Sequence, residues 1–549
     1  MADAAKPATE QRKIGLVVAA SSAGTIFEWY DFFIFGSLAA IIGKHFFAAA
    51  GPSQALIFAL LTFAAGFAVR PFGALVFGWV GDRMGRKRAF LATVAIMGAA
   101  TFAIGFLPSY STIGIAAPYL LVAMRVLQGF AVGGEYGGAA IYVAEHAQAN
   151  HRGTATGWIQ VSATIGLFLA LAVILLIRSL IGEDQFSAWG WRIPFLLSNV
   201  LLGISLWIRL RLEESPMFRR IQAEGLASRA PFTESFLRWG NLKVVLIALF
   251  GLLMGQGVVW YTAEFYTLFF LQNVIKVDPR LVNELILVVT IIAAPLHFFF
   301  AWLSDKIGRK PVMLFGLGLA AISYFPGFQL LTEAANPDLA TATRRTPVTI
   351  VAAPSDCSIQ FDLIGKAKFV TSCDIARSAL TNAGVPYKTR PAPEGTFAHV
   401  KVGGADVAAP NGRDMSAAEL ANAKDDFEKR LRAALNSAGY PEKANPAALD
   451  IQKTLLLLLV FVVAASALYG PQAAALVELF PTRIRYTALS LPYHLGVGWF
   501  GGFLPATAFA IVTATGNIYA GLWYPTIIAA VGFFVSLLLL PETYKRKID

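Results

Sequence analysis

Ionisable side chains sit at helical spacing inside stretches of this sequence that are otherwise apolar. Glu28-Trp29-Tyr30-Asp31 puts two acids three residues apart, on one face of a helix. Arg125, Gln128, Glu135 and Tyr142 follow one another at intervals of three, seven and seven and make a second stripe. Arg70 stands in a further apolar run. A charge in hydrocarbon costs roughly 2.5–3.5 kcal/mol even on the gentler insertion scale, so each of these residues needs a reason to be there. Glu28 and Asp31 repel each other, which favours a protonatable group over a satisfied structural pair. The chemistry on offer is proton uptake and release by Asp31, Glu28 and Glu135, with Arg125 and Arg70 as cations for an anionic solute. For Arg70, pairing with Glu135 or a gate acid is an equally good reading.

Membrane helices must hold these residues. Of 549 residues 56% are hydrophobic and only 14% charged, and the mean hydropathy is +0.60, well outside soluble composition. Twelve apolar stretches of spanning length are read at about 14–42, 54–80, 89–107, 115–145, 154–178, 191–211, 244–271, 281–303, 312–332, 453–478, 487–514 and 518–540. The first is too long for a signal sequence and contains Glu28 and Asp31, so an uncleaved span is expected. Alternate short connections carry 21 Lys and Arg on the N-terminal side, against Lys44, Lys276 and Arg280 on the other. That asymmetry predicts a multi-pass protein of a bacterial inner membrane with both termini cytoplasmic. It also accounts for the net charge of +11, which leaves no reason to invoke nucleic acid.

The segment Gly81-Asp82-Arg83-Met84-Gly85-Arg86-Lys87-Arg88 returns as Ser304-Asp305-Lys306-Ile307-Gly308-Arg309-Lys310-Pro311, each copy between apolar stretches. A second pair matches Tyr136-Gly137, Glu145 and Arg152 with Tyr469-Gly470, Glu478 and Arg485. Asp82 to Asp305 is 223 positions and Glu145 to Glu478 is 333, so the second half carries 110 extra residues between these landmarks. Composition turns polar over the same region. The expected organisation is 1–211 as a first six-helix bundle, 212–243 as a cytoplasmic linker, 244–332 as helices seven to nine, 333–450 as a small periplasmic α/β domain, and 451–549 as helices ten to twelve. Within the insertion, 348–353 and 399–402 read as strands and 374–383 as a helix closed by Gly384. Ser416 and Glu419 form a capping box ahead of an apolar stripe. Cys357 and Cys373 are the only cysteines, and outside the cytoplasm a bridge between them is worth about 3 kcal/mol. No metal-ligand cluster is read anywhere in the chain.

The string Gly78-x-x-x-Asp82-Arg83-x-Gly85-Arg86-Lys87 resembles the loop between the second and third helices of the major facilitator superfamily. Arg125-x-x-Gln128-Gly129-x-x-x-Gly133-Gly134-Glu135 resembles the fourth-helix signature of its proton-coupled members. With Phe27–Phe32, Arg70-Pro71-Phe72-Gly73, Trp189-Gly190-Trp191-Arg192-Ile193-Pro194-Phe195, Glu213-Glu214-Ser215-Pro216 and Pro541-Glu542-Thr543, the chain is similar to the metabolite:proton symporter branch, over nearly everything except 333–450. The resemblance implies twelve helices in two six-helix bundles around a central site, moving a small organic acid or zwitterionic osmolyte with protons. It implies Asp31 with Arg125 as the coupling pair, no cofactor beyond the proton as coupling ion, and a monomer in the lipid bilayer. It also implies that Asp82 meets the start of span eleven and Asp305 that of span five, where the helix dipole favours an acid by roughly 0.3–1 kcal/mol. Arg86, Arg309, Glu145, Arg152, Glu478 and Arg485 then complete charge networks that break as the carrier opens inward.

In the second half Gln256, Trp260 and Glu264 recur every four residues and, with Tyr469 and with Tyr30 and Gln128 of the first half, are expected at the solute site. His297 and His494 are polar groups that a neighbour's hydrogen bond would satisfy equally well. A nutrient sensor keeping the carrier fold is the competing class. A membrane enzyme fits poorly, since neither a Ser-His-Asp set nor a phosphate-cradling loop is visible.

Overall fold

A computed structural model of the chain describes residues 5–48, 52–211, 213–358, 369–544 and 546–548. Leu212, the expected start of the linker, lies outside the described residues, as do residues 1–4 of the polar tail.

Helices occupy all twelve predicted spans. Span one is Ala5–Ser37, continued by Ala39–Phe46 after a bend of 63°. Spans two to six are Pro52–Met84, Arg86–Phe106, Ala116–His146, Arg152–Ile181 and Arg192–Leu210. Spans seven to twelve are Trp239–Val274, Pro279–Ile307, Arg309–Ala335, Ile451–Leu479, Thr482–Thr515 and Ala520–Leu539. The stretch between spans six and seven, expected as plain linker, holds short helices at Pro216–Ala223 and Pro231–Phe236. Spans one to six pack on one another and spans seven to twelve do the same; the halves meet chiefly where span two touches eleven and span five touches eight and ten. Gly129 of span four lies against the Gly66 backbone of span two, an approach any side chain would block. Gly85 and Gly308, with φ of 113° and 104°, make the two sharp turns between spans two and three and between eight and nine.

Spans seven and eleven are not regular helices. Wider π turns occur at Ala248–Leu253, Thr262–Tyr266 and Phe270–Val274 in the one and His494–Gly501 in the other. Apolar periodicity does not encode these extra residues, and such turns gather at functional sites.

Between spans nine and ten stands a four-stranded sheet with helices Pro337–Arg345, Ser372–Ala383 and Ala417–Ser437. Strands β1 Val348–Ala352, β2 Tyr387–Pro391, β3 His399–Val402 and β4 Ala405–Ala408 lie in the order β2-β1-β3-β4. β1 runs parallel to β2 and antiparallel to β3, with Val348 opposite both Tyr387 and Val402. Two strands escape sequence reading: β2 is bracketed by Pro386 and Pro391, tolerable only on an edge, and β4 has little but alanine to recommend it. The capping box forms, with Ser416 N–H to Glu419 at 2.9 Å and Glu419 N–H to Ser416 at 3.3 Å. Phe427, Leu431 and Leu435 of that helix are buried, in one apolar core continuous with Val274, Ile275 and Val277 of the membrane part. The unit is tied to the second half by backbone bonds from Tyr387 N–H to Gly516 (2.8 Å), Ala444 N–H to Lys276 (2.9 Å) and Asp450 N–H to Ala334 (2.9 Å).

Cys357 and Cys373 are joined in a disulfide, 16 residues apart and with Cα atoms 5.1 Å apart; residues 359–368 of the loop it closes lie outside the described residues. Cys357→Ser with Cys373→Ser is expected to destabilise the unit by about 3 kcal/mol through the loop entropy returned to the unfolded chain. Limited proteolysis should then cut between spans nine and ten at least tenfold faster; an unchanged rate would show that packing alone holds it.

Candidate functional site

Spans one and four bring the sequence-predicted acid and arginine together. Asp31 and Arg125 are both buried and stand 3.9 Å apart. Gln128 lies between them: its amide donates to both Asp31 oxygens at 3.0 and 3.1 Å and to Thr101 Oγ1 at 2.7 Å, while its carbonyl accepts from Arg125 at 2.7 Å. The Arg125 guanidinium also rests on the Phe35 ring, 4.1 Å from its centre. Helical spacing of three lets one turn of span four supply both the cation and the bridging amide.

This unit borders a space of about 20 Å3 that Glu28 and Arg70 also line. A neighbouring space of about 30 Å3 shares those two residues and is completed by Gln256 and Trp260 of span seven, Tyr469 of span ten and His494 of span eleven. Trp29 and Trp260 face each other across the two halves at 5.6 Å, and Tyr261 and Tyr469 flank Trp260 at 5.1 and 6.2 Å. The Arg70 guanidinium sits 4.1 Å over Phe67, and its Nε is buried without a hydrogen bond. Among the described residues Arg70 has no ion pair, so the pairing with Glu135 held open from sequence does not form. Below the space, Tyr136 of span four stacks on Tyr493 of span eleven, 4.0 Å apart and inclined 6°, with Gln160 donating to the Tyr136 hydroxyl at 3.0 Å.

Three expected residues, and one of the two histidines, are elsewhere. Tyr30 points away from the site and donates to the Pro194 carbonyl at 2.8 Å within a separate apolar cluster. Glu264 accepts from Thr290 at 3.3 Å and lines neither space, because the π turn at Thr262–Tyr266 breaks the four-residue stripe running on from Gln256 and Trp260. Glu135 is buried against Arg209 of span six at 2.6 Å and Thr93 at 2.9 Å, apart from the Arg125 unit. His297 stands edge-on to Tyr469 at 5.2 Å outside the two spaces.

A second constellation lies at the opposite end from the α/β unit. Asp82 accepts the backbone N–H of Tyr486 (3.1 Å) and Thr487 (2.8 Å) at the start of span eleven. Asp305 accepts those of Gly153 (2.9 Å) and Thr154 (2.6 Å) at the start of span five. Arg86 binds Asp82, and Arg309 binds Asp305, each at 2.6 Å. Glu145 holds Arg485 at 2.7 Å and lies 4.0 Å from Arg86; Glu478 holds Arg309 at 3.1 Å and lies 3.7 Å from Arg152. The duplication extends further than the sequence suggested. Glu214 accepts from the Arg86 and Lys87 N–H groups and Glu542 from those of Arg309 and Lys310, while Ser215 and Thr543 donate to Glu145 and Glu478.

A family model described as sugar (and other) transporter matches residues 16–232. The shikimate transporter of Escherichia coli K12 is 40% identical over 320 residues, 57% of this chain and 71% of the relative. The proline/betaine transporter of the same bacterium is 35% identical over 332 residues, 58% of this chain and 65% of that protein's length. The solved structure of the proton:xylose symporter XylE with 6-bromo-6-deoxy-D-glucose has a TM-score of 0.62 over 98% of both chains at 16% identity, a likeness of fold. The chain is therefore a transporter of the major facilitator superfamily. Within it, the chain belongs to the metabolite:proton symporter family that its motifs indicate, and is not an enzyme.

Proposed function

We propose that this protein takes up a small mono- or dicarboxylate together with protons across the bacterial inner membrane, by alternating access, with both termini cytoplasmic and residues 333–450 in the periplasm. The observation that carries the reading is the buried Asp31, Gln128 and Arg125 unit beside Arg70, which has no ion pair among the described residues. Protonating Asp31 weakens its hold on Arg125 and frees the guanidinium for a solute carboxylate, so proton and solute load the same state. Coupling has an energetic reason, because an inside-negative potential opposes anion entry by about 2.3 kcal/mol per charge per 100 mV. Gln256, Trp260 and Tyr469 form the wall of the solute site, and Asp82, Asp305 and their arginines form its inner gate.

A zwitterionic osmolyte is the second reading. It is favoured by the facing Trp29 and Trp260 rings, which suit a quaternary ammonium, and by the proline/betaine relatives. Proteoliposomes containing the purified chain decide between them. Acidifying the outside should drive accumulation of a carboxylic acid such as shikimate at least tenfold over glycine betaine. Preferential betaine uptake would install the second reading. Binding without counterflow of labelled solute would instead make the protein a sensor.

A further inference from the structure

A cleft of about 490 Å3 opens between the inserted unit and the loop joining spans seven and eight, away from the central site. Helices Ser372–Ala383 and Ala417–Ser437 wall it on one side and Lys276 and Asp278 on the other. Lys276 has φ of 57°, the one non-glycine in the left-handed region among the described residues. A side chain is held that way only where its surroundings demand it, and functional sites are where such strain collects. Here the inserted unit supplies the demand: the Lys276 carbonyl accepts Ala444 N–H at 2.9 Å and the adjacent Ile275 carbonyl accepts Asn336 Nδ2 at 2.8 Å. The lysine stem is laid along Gly384, where a Cβ would come within 3.6 Å of Cε. Its amine is half-buried, and that burial pushes its pKa below the usual lysine value.

Charges around the cleft are unevenly committed. Asp278 spends an oxygen on the Arg280 and Leu281 N–H groups at 3.0 and 3.2 Å, and Glu442 accepts from Asn436 at 3.1 Å and faces Arg432 at 3.9 Å. Among the described residues Lys276, Lys443 and Glu428 form no ion pair, so two ammonium groups and one carboxylate remain for a guest. The three surrounding acids, Asp278, Glu428 and Glu442, repel a doubly charged anion about twice as strongly as a single carboxylate, which favours the single carboxylate on a hydrogen-bonding body.

We infer that this cleft is a second, external site for a small monocarboxylate, whose carboxylate pairs with Lys276. The site is independent of which solute the central cavity carries. It is built from both the inserted unit and the end of span seven, the span whose middle holds Gln256 and Trp260, so occupancy fastens that end of the span.

The test uses the purified full chain and follows acetylation of Lys276 by a water-soluble amine reagent, read by peptide mass spectrometry. Shikimate, benzoate or L-proline should slow Lys276 modification at least threefold in a saturable way, leaving Lys429 on the exposed face of Ala417–Ser437 unaffected. The protection should persist in Arg70→Met. The inference is overturned if all three probes change the rate less than threefold, if phosphate or chloride at equal ionic strength protects as well, or if Arg70→Met abolishes protection. None of these readouts requires transport, so failure of the symport reading leaves this result standing, and the reverse.

Discussion

Asp31→Asn should abolish accumulation driven by a proton gradient, by a hundredfold or more, while exchange of solute across the membrane persists. Arg125→Ala should abolish both. The two differ because asparagine still receives the Gln128 amide that bridges Asp31 at 3.0 and 3.1 Å, whereas alanine at 125 removes the cation that the solute is to meet. Both residues are buried, and removing one partner of a buried pair costs about 3–5 kcal/mol, enough for a factor of roughly a hundred to several thousand. The amide of the Asp31→Asn variant cannot be switched by a proton, so Arg125 stays without its counter-charge at every pH and the link between gradient and solute is cut. In Asp31→Asn the guanidinium keeps its place through Gln128 at 2.7 Å and the Phe35 ring at 4.1 Å, and in Arg125→Ala the Asp31 carboxyl keeps the Gln128 amide at 3.0 and 3.1 Å, so neither variant should unfold the bundle. Uptake in proteoliposomes with and without a pH step, beside counterflow at equal pH, separates the two roles. Normal gradient-driven uptake by either variant would remove that residue from the coupling pair.

What sequence reveals here follows from the cost of polarity in hydrocarbon. Asp31, Arg125 and Gln128 announce themselves because nothing cheap explains them between apolar neighbours, and Asp82 and Asp305 do so because their context is repeated. Arg209 escapes notice for the opposite reason: a basic residue at the end of a span reads as topology, yet it is buried against Glu135 at 2.6 Å. Tyr136 and Tyr493 stack at 4.0 Å across the two halves, but an aromatic residue in a span ordinarily signifies packing. Glu264 is misplaced by a rule that holds only for regular helix, since a π turn rotates everything beyond it off the stripe. Glu214 and Glu542 lie in recognisable motifs without a legible role, because backbone N–H groups leave no mark in a sequence. The inserted unit emerges from counting between landmarks, and its edge strands are lost where proline and alanine dominate.

Asp82→Ala combined with Asp305→Ala should leave the carrier open toward the side of these loops and lower uptake at least a hundredfold. Each aspartate takes two backbone N–H groups from a helix of the opposite half, so these bonds cannot survive separation of the halves. Hydrogen bonds to a charged group are worth about 1.5–3 kcal/mol each, so the four together exceed the roughly 5.5 kcal/mol that moves an equilibrium from 99:1 to 1:99. The single variants should be milder and unequal. Without Asp82, Arg86 keeps the Thr482 carbonyl at 2.6 Å and Glu145 only at 4.0 Å; without Asp305, Arg309 keeps Glu478 at 3.1 Å. Losing Asp82 therefore leaves the poorer-compensated arginine and should open the gate further than losing Asp305. Ser490→Cys reports the outcome, since Ser490 is fully buried beside Gly137. Alkylation of that cysteine by an impermeant maleimide should rise at least tenfold in the double variant and rise more in Asp82→Ala than in Asp305→Ala. Equal protection in all backgrounds would mean that the stacked Tyr136 and Tyr493, not the charge networks, keep this end shut.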